Sequence, residues 1–219
     1  MLRERLKELE SQTYDDLEIV VIDDCSTDST PEVIYDWKEK LKEKLIPIWL
    51  PKNSGCEGIP RAIGITHCTG DFIIHVDDDV IQHQDKVEVL VNALDNNILS
   101  FGHTYYFTPA SNKTRYDNIQ WHPTGWPMCD DGQVLYRKNI YKKLPFYYGN
   151  LDDGYRQLFE LIKNAHKLGA KFSYIEIPVA TNILHGANWS FDQNKKRLNK
   201  EDWEWFNPLL KGDWRTEIL

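Results

Sequence analysis

Three adjacent carboxylates, Asp77, Asp78 and Asp79, form the densest group of chemically capable side chains in the sequence. They directly follow an apolar run at residues 71–76. Neighbouring carboxylates repel one another strongly unless a cation neutralises them. Oxygen ligands suit Mg²⁺ or Mn²⁺, which usually also bind substrate phosphates. The cluster therefore indicates a site for a divalent cation and a phosphorylated ligand, and the alternative is a solvated acidic turn ahead of a helix.

A second carboxylate pair, Asp23 and Asp24, follows another apolar run at residues 17–22. At the end of a strand, such side chains can accept hydrogen bonds from a ribose hydroxyl or a base N–H, although a turn and a helix cap are the commoner reason for them. Arg61 lies beyond a glycine-punctuated loop. It can reach a base carbonyl or a diphosphate, or it is an ordinary surface arginine.

Further candidates lie in the second half of the chain. Asp152 and Asp153 precede a predicted helix at residues 155–168, where they can act as a general base or simply favour the helix dipole. His185 follows an apolar segment, and a neutral imidazole there can complete a metal site or belong to an ordinary loop. Both interpretations of each residue remain open from the sequence alone.

Tryptophan is the compositional outlier, with eight residues in the chain. Aromatic rings stack on sugars and bases, but they also pack in protein cores. Trp121, Trp126 and Trp189 lie in predicted loops and are candidates for contact with an acceptor. Trp203, Trp205 and Phe206 fit the packing face of a last helix.

Short apolar strands alternate with amphipathic helices in the first half of the chain. The predicted strands are at residues 17–22, 46–50 and 71–76, and the first helix is at residues 2–12. This alternation predicts an α/β domain with a wound, mostly parallel sheet flanked by helices. Both carboxylate clusters then lie at the carboxyl ends of strands, where ligands bind in open α/β sheets.

Composition limits the classes of function. The 219 residues carry a net charge of -8, which argues against an extended nucleic-acid surface. No apolar run is long enough to span a bilayer, and the charged first residues are not expected to act as a signal peptide. The four cysteines lack the spacing of a zinc site or of a disulfide framework. A cytoplasmic, reducing location is expected.

Two longer stretches carry a resemblance to a known family. QTYDDLEIVVIDDCSTDST and KNSGCEGIPRAIGITHCTGDFIIHVDDDV together resemble glycosyltransferase family 2, which has the GT-A fold. DDGQVLYRKNIYKKLPFYYGNLDDGYRQLFELI is similar to a later segment of the family, more weakly. The resemblance covers residues 2 to about 168.

The resemblance implies roles for the residues of the first half. Asp24 would contact the base of a nucleotide, with Asp23 beside it, and Arg61 would face the base or the phosphates. Asp77 would lie near the ribose. The implied donor is a nucleoside-diphosphate sugar, with a UDP sugar as the expected form.

The resemblance also implies the metal ligands and the catalytic base. Asp78 and Asp79 would hold Mn²⁺ or Mg²⁺ and the diphosphate, and His185 would match a late histidine that some members add to the metal. The acidic pair would supply the base for an inverting transfer, with Asp153 preferred over Asp152. The acceptor would be a glycan, a lipid-linked sugar or another hydroxyl compound.

This resemblance divides the chain into three parts. A GT-A-like domain would span residues 1–184, with a nucleotide-binding half at 1–98 and an acceptor half at 99–184, and a loop and helix at 185–219 would close the site.

The alternatives to an active glycosyltransferase are a catalytically inactive sugar-nucleotide-binding protein, a metal-dependent nucleotidyltransferase or phosphohydrolase, and a glycan-binding module.

The sequence departs from the family in two places. The family's Arg-Asn pair is Arg61-Ala62 here, and the apolar strand that opens the family pattern has no counterpart in this sequence. Because buried strands pair their N–H and C=O groups, we expect strands 17–22 and 71–76 to pair directly, or a substitute strand to lie between them. Residues 1–8 are not expected to supply it.

Overall fold

The computed structural model describes residues 1–55, 57–117, 120–121, 123, 125, 127–129, 131–142, 144, 146–147, 156–184, 207–209 and 216–217. The helices are α1 (Leu2–Glu10), α2 (Thr30–Leu41), α3 (Gly58–His67), α4 (Lys86–Leu94) and α5 (Arg156–Lys167). The strands are β1 (Ile19–Asp23), β2 (Leu45–Trp49), β3 (Phe72–Ile74), β4 (Val80–Gln82), β5 (Leu99–Thr108), β6 (Lys113–Asp117), β7 (Gln120–Trp121), β8 (Pro127–Met128), β9 (Val134–Arg137), β10 (Phe146–Tyr147), β11 (Phe172–Ile183) and β12 (Thr216–Glu217). In this part of the chain no helix combines the length and apolar character needed to cross a membrane.

The first two strands form a small parallel sheet of their own. β1 pairs with β2 from Ile19 opposite Leu45 to Asp23 opposite Trp49. Helices α1 and α2 pack on it and bury an apolar cluster of Leu6, Ile19, Ile34, Trp37 and Leu45. The β-branched composition of β1 favours a strand that is packed on its faces. This layer carries the Asp23–Asp24 pair at its carboxyl end.

The main sheet has six strands in the order β3-β9-β5-β11-β4, with β6 paired to β5. Its core face packs against α3 and α5, and its other face packs against α4. The predicted α/β class is confirmed, but the sheet is mixed rather than mostly parallel: among its pairings only β5 with β11 is parallel. The difference arises because β9, from an aromatic region of weak periodicity, is inserted antiparallel between β3 and β5.

Strands β1 and β3 lie in different sheets. The expected direct pairing of segments 17–22 and 71–76 is therefore wrong, and within the described ranges no substitute strand lies between them. Residues 2–10 form α1, as the sequence predicted. The two sheets are held at their separation by α1, because its Leu6 packs with β1 while Glu8 accepts a hydrogen bond from Gln82 N of β4 at 2.8 Å.

Candidate functional site

The three aspartates lie in the turn between β3 and β4. Val80 N donates to the carbonyl of Asp77 at 3.3 Å, which closes the turn, and Ile183 N at the end of β11 donates to the carbonyl of Asp79 at 2.9 Å. The Asp78 side chain is exposed, while those of Asp77 and Asp79 are partly buried. The backbone of the turn is thus fixed by strands on both sides, and its carboxylates lie at the carboxyl end of β3, as predicted.

Arg61 connects α3 to this turn. Its Nη2 donates to Asp77 Oδ1 at 2.8 Å, and its Nη1 donates to Glu57 Oε1 at 3.2 Å, one helical turn earlier. The Arg61 side chain is only 11% exposed. Burial alone would raise the pKa of Asp77, but the charge and hydrogen bond of Arg61 hold that pKa below its usual value. The Arg61 guanidinium therefore lies beside the ionised Asp77 carboxylate at this strand end.

A chain of buried hydroxyls supports β3 just before the aspartates. Tyr141 OH donates to Tyr136 OH at 3.2 Å, and Tyr136 OH lies 2.6 Å from His75 Nε2. Burial lowers the pKa of His75 to about 3, and the nearby Arg61 adds to this effect. The ring is therefore neutral at pH 7, and its Nε2 shares a hydrogen bond with the Tyr136 hydroxyl. A neutral ring adds no positive charge beneath Asp77.

Lys86 is a buried cation that sequence reasoning missed. It lies at the start of α4, is 1% exposed, and its Nζ donates to Gln82 Oε1 at 2.5 Å and to the Gly132 carbonyl at 2.8 Å. Burial lowers its pKa to about 7, and the negative charge of Asp77 opposes that shift. No sequence signal distinguishes Lys86 from a surface lysine at a helix start, because its burial depends on the distant β9 region.

Asp24 organises the loop that leads into α3. Its Oδ1 accepts from Ser54 N at 2.8 Å and its Oδ2 accepts from Ser54 Oγ at 2.8 Å. Asn53 Nδ2 donates to the Asp24 carbonyl at 2.9 Å, and Asn53 Oδ1 accepts from Gly55 N at 2.9 Å. Gly55 has a φ of 72°, in the left-handed region that favours glycine. The carboxylate thus fixes the loop that precedes Arg61 by a few residues.

Asp23 is buried, at 6% exposure, and is only half satisfied. Its Oδ2 accepts from Ser26 N at 3.3 Å, whereas Oδ1 is buried and has no hydrogen-bond partner among the described residues. An unpaired buried carboxylate oxygen is costly unless a donor reaches it. This oxygen is a suitable acceptor for an N–H or O–H group of a ligand, as the sequence suggested for the pair.

Both carboxylate clusters are therefore connected through one segment. The loop at residues 53–55 binds Asp24, and α3 begins directly afterwards and presents Arg61 to Asp77. Gly64 allows α3 to approach β1 closely, because a Cβ there would lie 2.6 Å from Ile22 Cδ1. In the sequence, the feature that indicates this connection is the glycine-punctuated loop with its asparagine and serine.

The donor set fits Mg²⁺ or Mn²⁺ in part. Asp78 and Asp79 supply adjacent oxygen ligands, which such ions accept together with water and phosphate oxygens. Among the residues that the structure describes, no group of three or more His, Cys, Asp or Glu side chains is placed to hold a metal by itself. A cation at this turn would consequently need ligands beyond these two carboxylates.

The remaining predicted site residues, Asp152, Asp153, Trp126, Trp189 and His185, lie outside the described residues. Their predicted roles stay predictions.

The fold is that of the GT-A class of glycosyltransferases. Residues 1–160 match the model of the family described as Glycosyl transferase family 2, and the chain belongs to this family.

Two curated relatives illustrate the range of the family. The poly(ribitol-phosphate) beta-N-acetylglucosaminyltransferase TarS of Staphylococcus aureus is 36% identical over 80 residues, which cover 36% of this chain and 14% of that protein. The putative teichuronic acid biosynthesis glycosyltransferase TuaG of Bacillus subtilis is 27% identical over 108 residues, or 49% of this chain and 42% of that protein. The chain matches less than half the length of either relative.

Solved structures share the fold. TarS 1-349 in complex with UDP-GlcNAc superposes with a TM-score of 0.68 at 18% identity, covering 94% of this chain and 60% of that chain. The mannosyltransferase PcManGT of Pyrobaculum calidifontis, in complex with GDP-Man and Mn²⁺, superposes with a TM-score of 0.61 at 17% identity, covering 86% and 54%.

Proposed function

We propose that this chain is a metal-dependent glycosyltransferase that moves a sugar from a nucleoside-diphosphate sugar, a UDP sugar in the first instance, to a hydroxyl group with inversion. The observation that carries the proposal is the Arg61–Asp77 ion pair at 2.8 Å beside Asp78 and Asp79. It brings one cation and a set of carboxylates to a single strand end. Family membership and the nucleotide sugars in the names of its structural relatives support this assignment.

The described residues have separate tasks in this proposal. Asp23 Oδ1 accepts a hydrogen bond from the ribose or base, while Asp24 holds the loop at 53–55 in place. Asp77, fixed by Arg61, faces the ribose. Arg61 stabilises the negative charge that grows on the leaving diphosphate, because a preorganised cation stabilises charge that develops in the transition state.

The proposed cation would bind Asp78 and Asp79, with His185 as a further proposed ligand. When bound, Mn²⁺ or Mg²⁺ would neutralise the diphosphate and polarise its bond to the sugar. Asp153, with Asp152 beside it, is proposed to take the proton from the acceptor hydroxyl as that oxygen attacks the anomeric carbon. The acceptor is a glycan, a lipid-linked sugar or another hydroxyl compound, and Trp126 and Trp189 are proposed to contact it by stacking.

Release of UDP from UDP-GlcNAc, followed with and without glycan acceptors, tests the proposal. Asp153→Asn should retain UDP binding and lose transfer, and Asp71→Asn, an exposed aspartate at the other end of β3, should behave like the wild type. Unchanged turnover in Asp153→Asn removes that residue from the role. UDP binding without transfer to any acceptor would favour a sugar-nucleotide-binding protein, and release of inorganic phosphate would favour a hydrolase.

A further inference from the structure

Four aromatic rings form a continuous cluster on the main sheet. They are His103 and Tyr105 of β5, Tyr116 of β6 and Tyr174 of β11, and together they are called the tyrosine cluster. Tyr105 and Tyr116 are directly opposed across the β5–β6 pair, and their ring centroids are 5.5 Å apart. The His103 ring lies 4.8 Å from that of Tyr116 and 5.2 Å from that of Tyr174, centroid to centroid. Each ring therefore contacts at least one other ring of the cluster.

The inner part of the tyrosine cluster is buried and its outer part is exposed. His103 is 3% exposed, and its Nε2 shares a hydrogen bond with the Tyr174 hydroxyl. Tyr116 packs against this buried imidazole and is still 43% exposed. Because its neighbours already hold the Tyr116 ring, a ligand that binds the outer side of that ring orders little that was mobile before.

The tyrosine cluster lies on the core face of the main sheet. The Tyr174 ring contacts that of Phe101 at a centroid distance of 5.4 Å, and Phe101 belongs to the apolar core that α3 and α5 cover. His103 and Tyr105 follow Phe101 at intervals of two residues, which places all three side chains on one face of β5. Helix α3, which carries Arg61, covers the same face.

The cluster is also close to the end of the sheet that carries the three aspartates. β3 and β5 are both antiparallel to β9, so their carboxyl ends lie at the same end of the sheet. Near that end Phe107 of β5 is opposite Ile183 of β11, and Ile183 N donates to the Asp79 carbonyl at 2.9 Å. Tyr105 is two residues, or about 7 Å, before Phe107. A ligand that extends from the cluster along β5 therefore approaches the turn that contains Asp79.

Polar groups at the cluster suit a ligand rich in hydroxyl groups. Burial raises the pKa of Tyr174, and Glu176 and Tyr116 add to the rise. Desolvation also raises the pKa of Tyr116, with further contributions from Tyr105 and Glu176. The exposed Glu176 carboxylate is therefore near both phenols, and both phenols stay protonated at pH 7. The phenols can donate hydrogen bonds to a ligand, and Glu176 can accept them.

These groups select an uncharged glycan over other ligands. The face of an aromatic ring is electron-rich, so the C–H groups of a sugar ring can stack on it. A purely apolar ligand would desolvate the phenols and Glu176 without giving them a hydrogen bond, which costs free energy. A polymer that carries phosphate or carboxylate groups would be repelled by Glu176.

We propose that the tyrosine cluster binds an uncharged glycan chain, with one sugar ring stacked on Tyr116 and a sugar hydroxyl hydrogen-bonded to Glu176. The chain runs past Tyr105 towards Asp79, which brings its end to the site of transfer. The use of this glycan as the acceptor rests on the proposed function, whereas its binding does not. The acceptor is then an uncharged glycan rather than another hydroxyl compound.

An array of immobilised oligosaccharides tests this surface with the full chain. Its uncharged members are chitotetraose, cellotetraose, maltotetraose and mannotetraose, and its anionic members are a hyaluronan tetrasaccharide and a glycerol-phosphate oligomer. We expect the wild type to bind at least one uncharged glycan. Tyr116→Ala should lower that binding by about tenfold, because a stacking ring and its buried area are lost. Tyr116→Trp keeps a ring and should bind, and Tyr35→Ala, at a tyrosine of α2 that is 60% exposed, is the matched control.

Transfer kinetics separate binding of the glycan from a general loss of structure. With the bound glycan as acceptor and UDP-GlcNAc as donor, Tyr116→Ala should raise the KM of the glycan by about tenfold and leave the KM of UDP-GlcNAc unchanged. If thermal unfolding shows that Tyr116→Ala does not fold, Tyr116→Thr replaces it, since threonine favours strands.

The proposal is overturned if the wild type binds no uncharged glycan of the array or only the anionic members. Equal binding by Tyr116→Ala and the wild type, or a loss of binding in Tyr35→Ala, also overturns it. Titration with UDP distinguishes this result from a failure of the proposed function. UDP binding without glycan binding contradicts the glycan surface alone, whereas glycan binding that depends on Tyr116 without any UDP binding contradicts the proposed donor alone.

Discussion

Arg61 Nη2 lies 2.8 Å from Asp77 Oδ1, and this ion pair joins helix α3 to the turn that carries Asp78 and Asp79. The arginine is almost buried at 11% exposure, while the aspartate is 38% exposed. Arg61 also contacts Glu57, so its guanidinium is held from two sides. The pair therefore fixes the Arg61 guanidinium beside the turn at which we propose that the diphosphate binds.

Replacing Arg61 by methionine should weaken UDP binding. A hydrogen bond to a charged group contributes about 1.5–3 kcal/mol, which corresponds to roughly a ten- to hundredfold rise in the dissociation constant. Arg61→Lys should recover only part of the loss, because lysine lacks the planar fork. Calorimetric titration with UDP measures both variants, and Arg3→Met, at a residue that is 50% exposed, is the control. Equal affinities of Arg61→Met and the wild type for UDP would show that Arg61 does not contact the phosphates.

Asp24 and Ser54 should show strong energetic coupling. Both carboxylate oxygens of Asp24 accept from Ser54, at 2.8 Å each. A double-mutant cycle of Asp24→Ala and Ser54→Ala by urea unfolding should give a coupling energy of about 1–3 kcal/mol. Additive effects of the two substitutions would show that Asp24 does not hold the loop.

Gly102→Ala should destabilise the main sheet by about 1–3 kcal/mol, the usual effect of overpacking. A Cβ at Gly102 would lie 2.8 Å from the Ile177 carbonyl oxygen and 2.8 Å from Val179 Cγ1, where β11 departs from regular register. Gly70→Ala is the matched control, because its nearest neighbour would be at 3.5 Å. Thermal unfolding compares the two, and equal melting temperatures would contradict the close approach of the strands.

Lys86 should make stability depend on pH above neutrality. Its pKa is about 7 in the folded chain and 10.5 in the absence of the fold, so the unfolded state binds more protons between these values. The free energy of unfolding should therefore rise as the pH increases from about 7 to about 10.5. Lys86→Met should flatten this rise in urea unfolding at pH 7 and pH 9, and the exposed Lys171→Met should leave it intact. The same dependence of stability on pH in Lys86→Met and the wild type would contradict the assignment of the low pKa to Lys86.

The candidate site was predictable where local pattern determined it. The apolar run before Asp77 predicted that this residue lies at a strand end. The glycine-punctuated loop indicated that Arg61, which follows the loop, could reach a ligand. Contacts between distant segments were not predictable in this way. Lys86 is buried by Gly132, a residue 46 positions away, and β9 enters the sheet from a region without clear periodicity. The separation of β1 from β3 also escaped prediction, because it depends on how α1 bridges the two sheets.

The most direct test of the central claim is calorimetric titration of the full chain with UDP-GlcNAc in the presence of Mn²⁺. We predict saturable binding. EDTA should weaken this binding, and the double substitution Asp78→Asn with Asp79→Asn should weaken it by at least about tenfold, or about 1.4 kcal/mol. Asp71→Asn should bind like the wild type. Because GDP-Man is the ligand of one structural relative, it is titrated in parallel to identify the base. A folded chain that binds neither nucleotide sugar, or that binds one equally well without Asp78 and Asp79, would contradict the account.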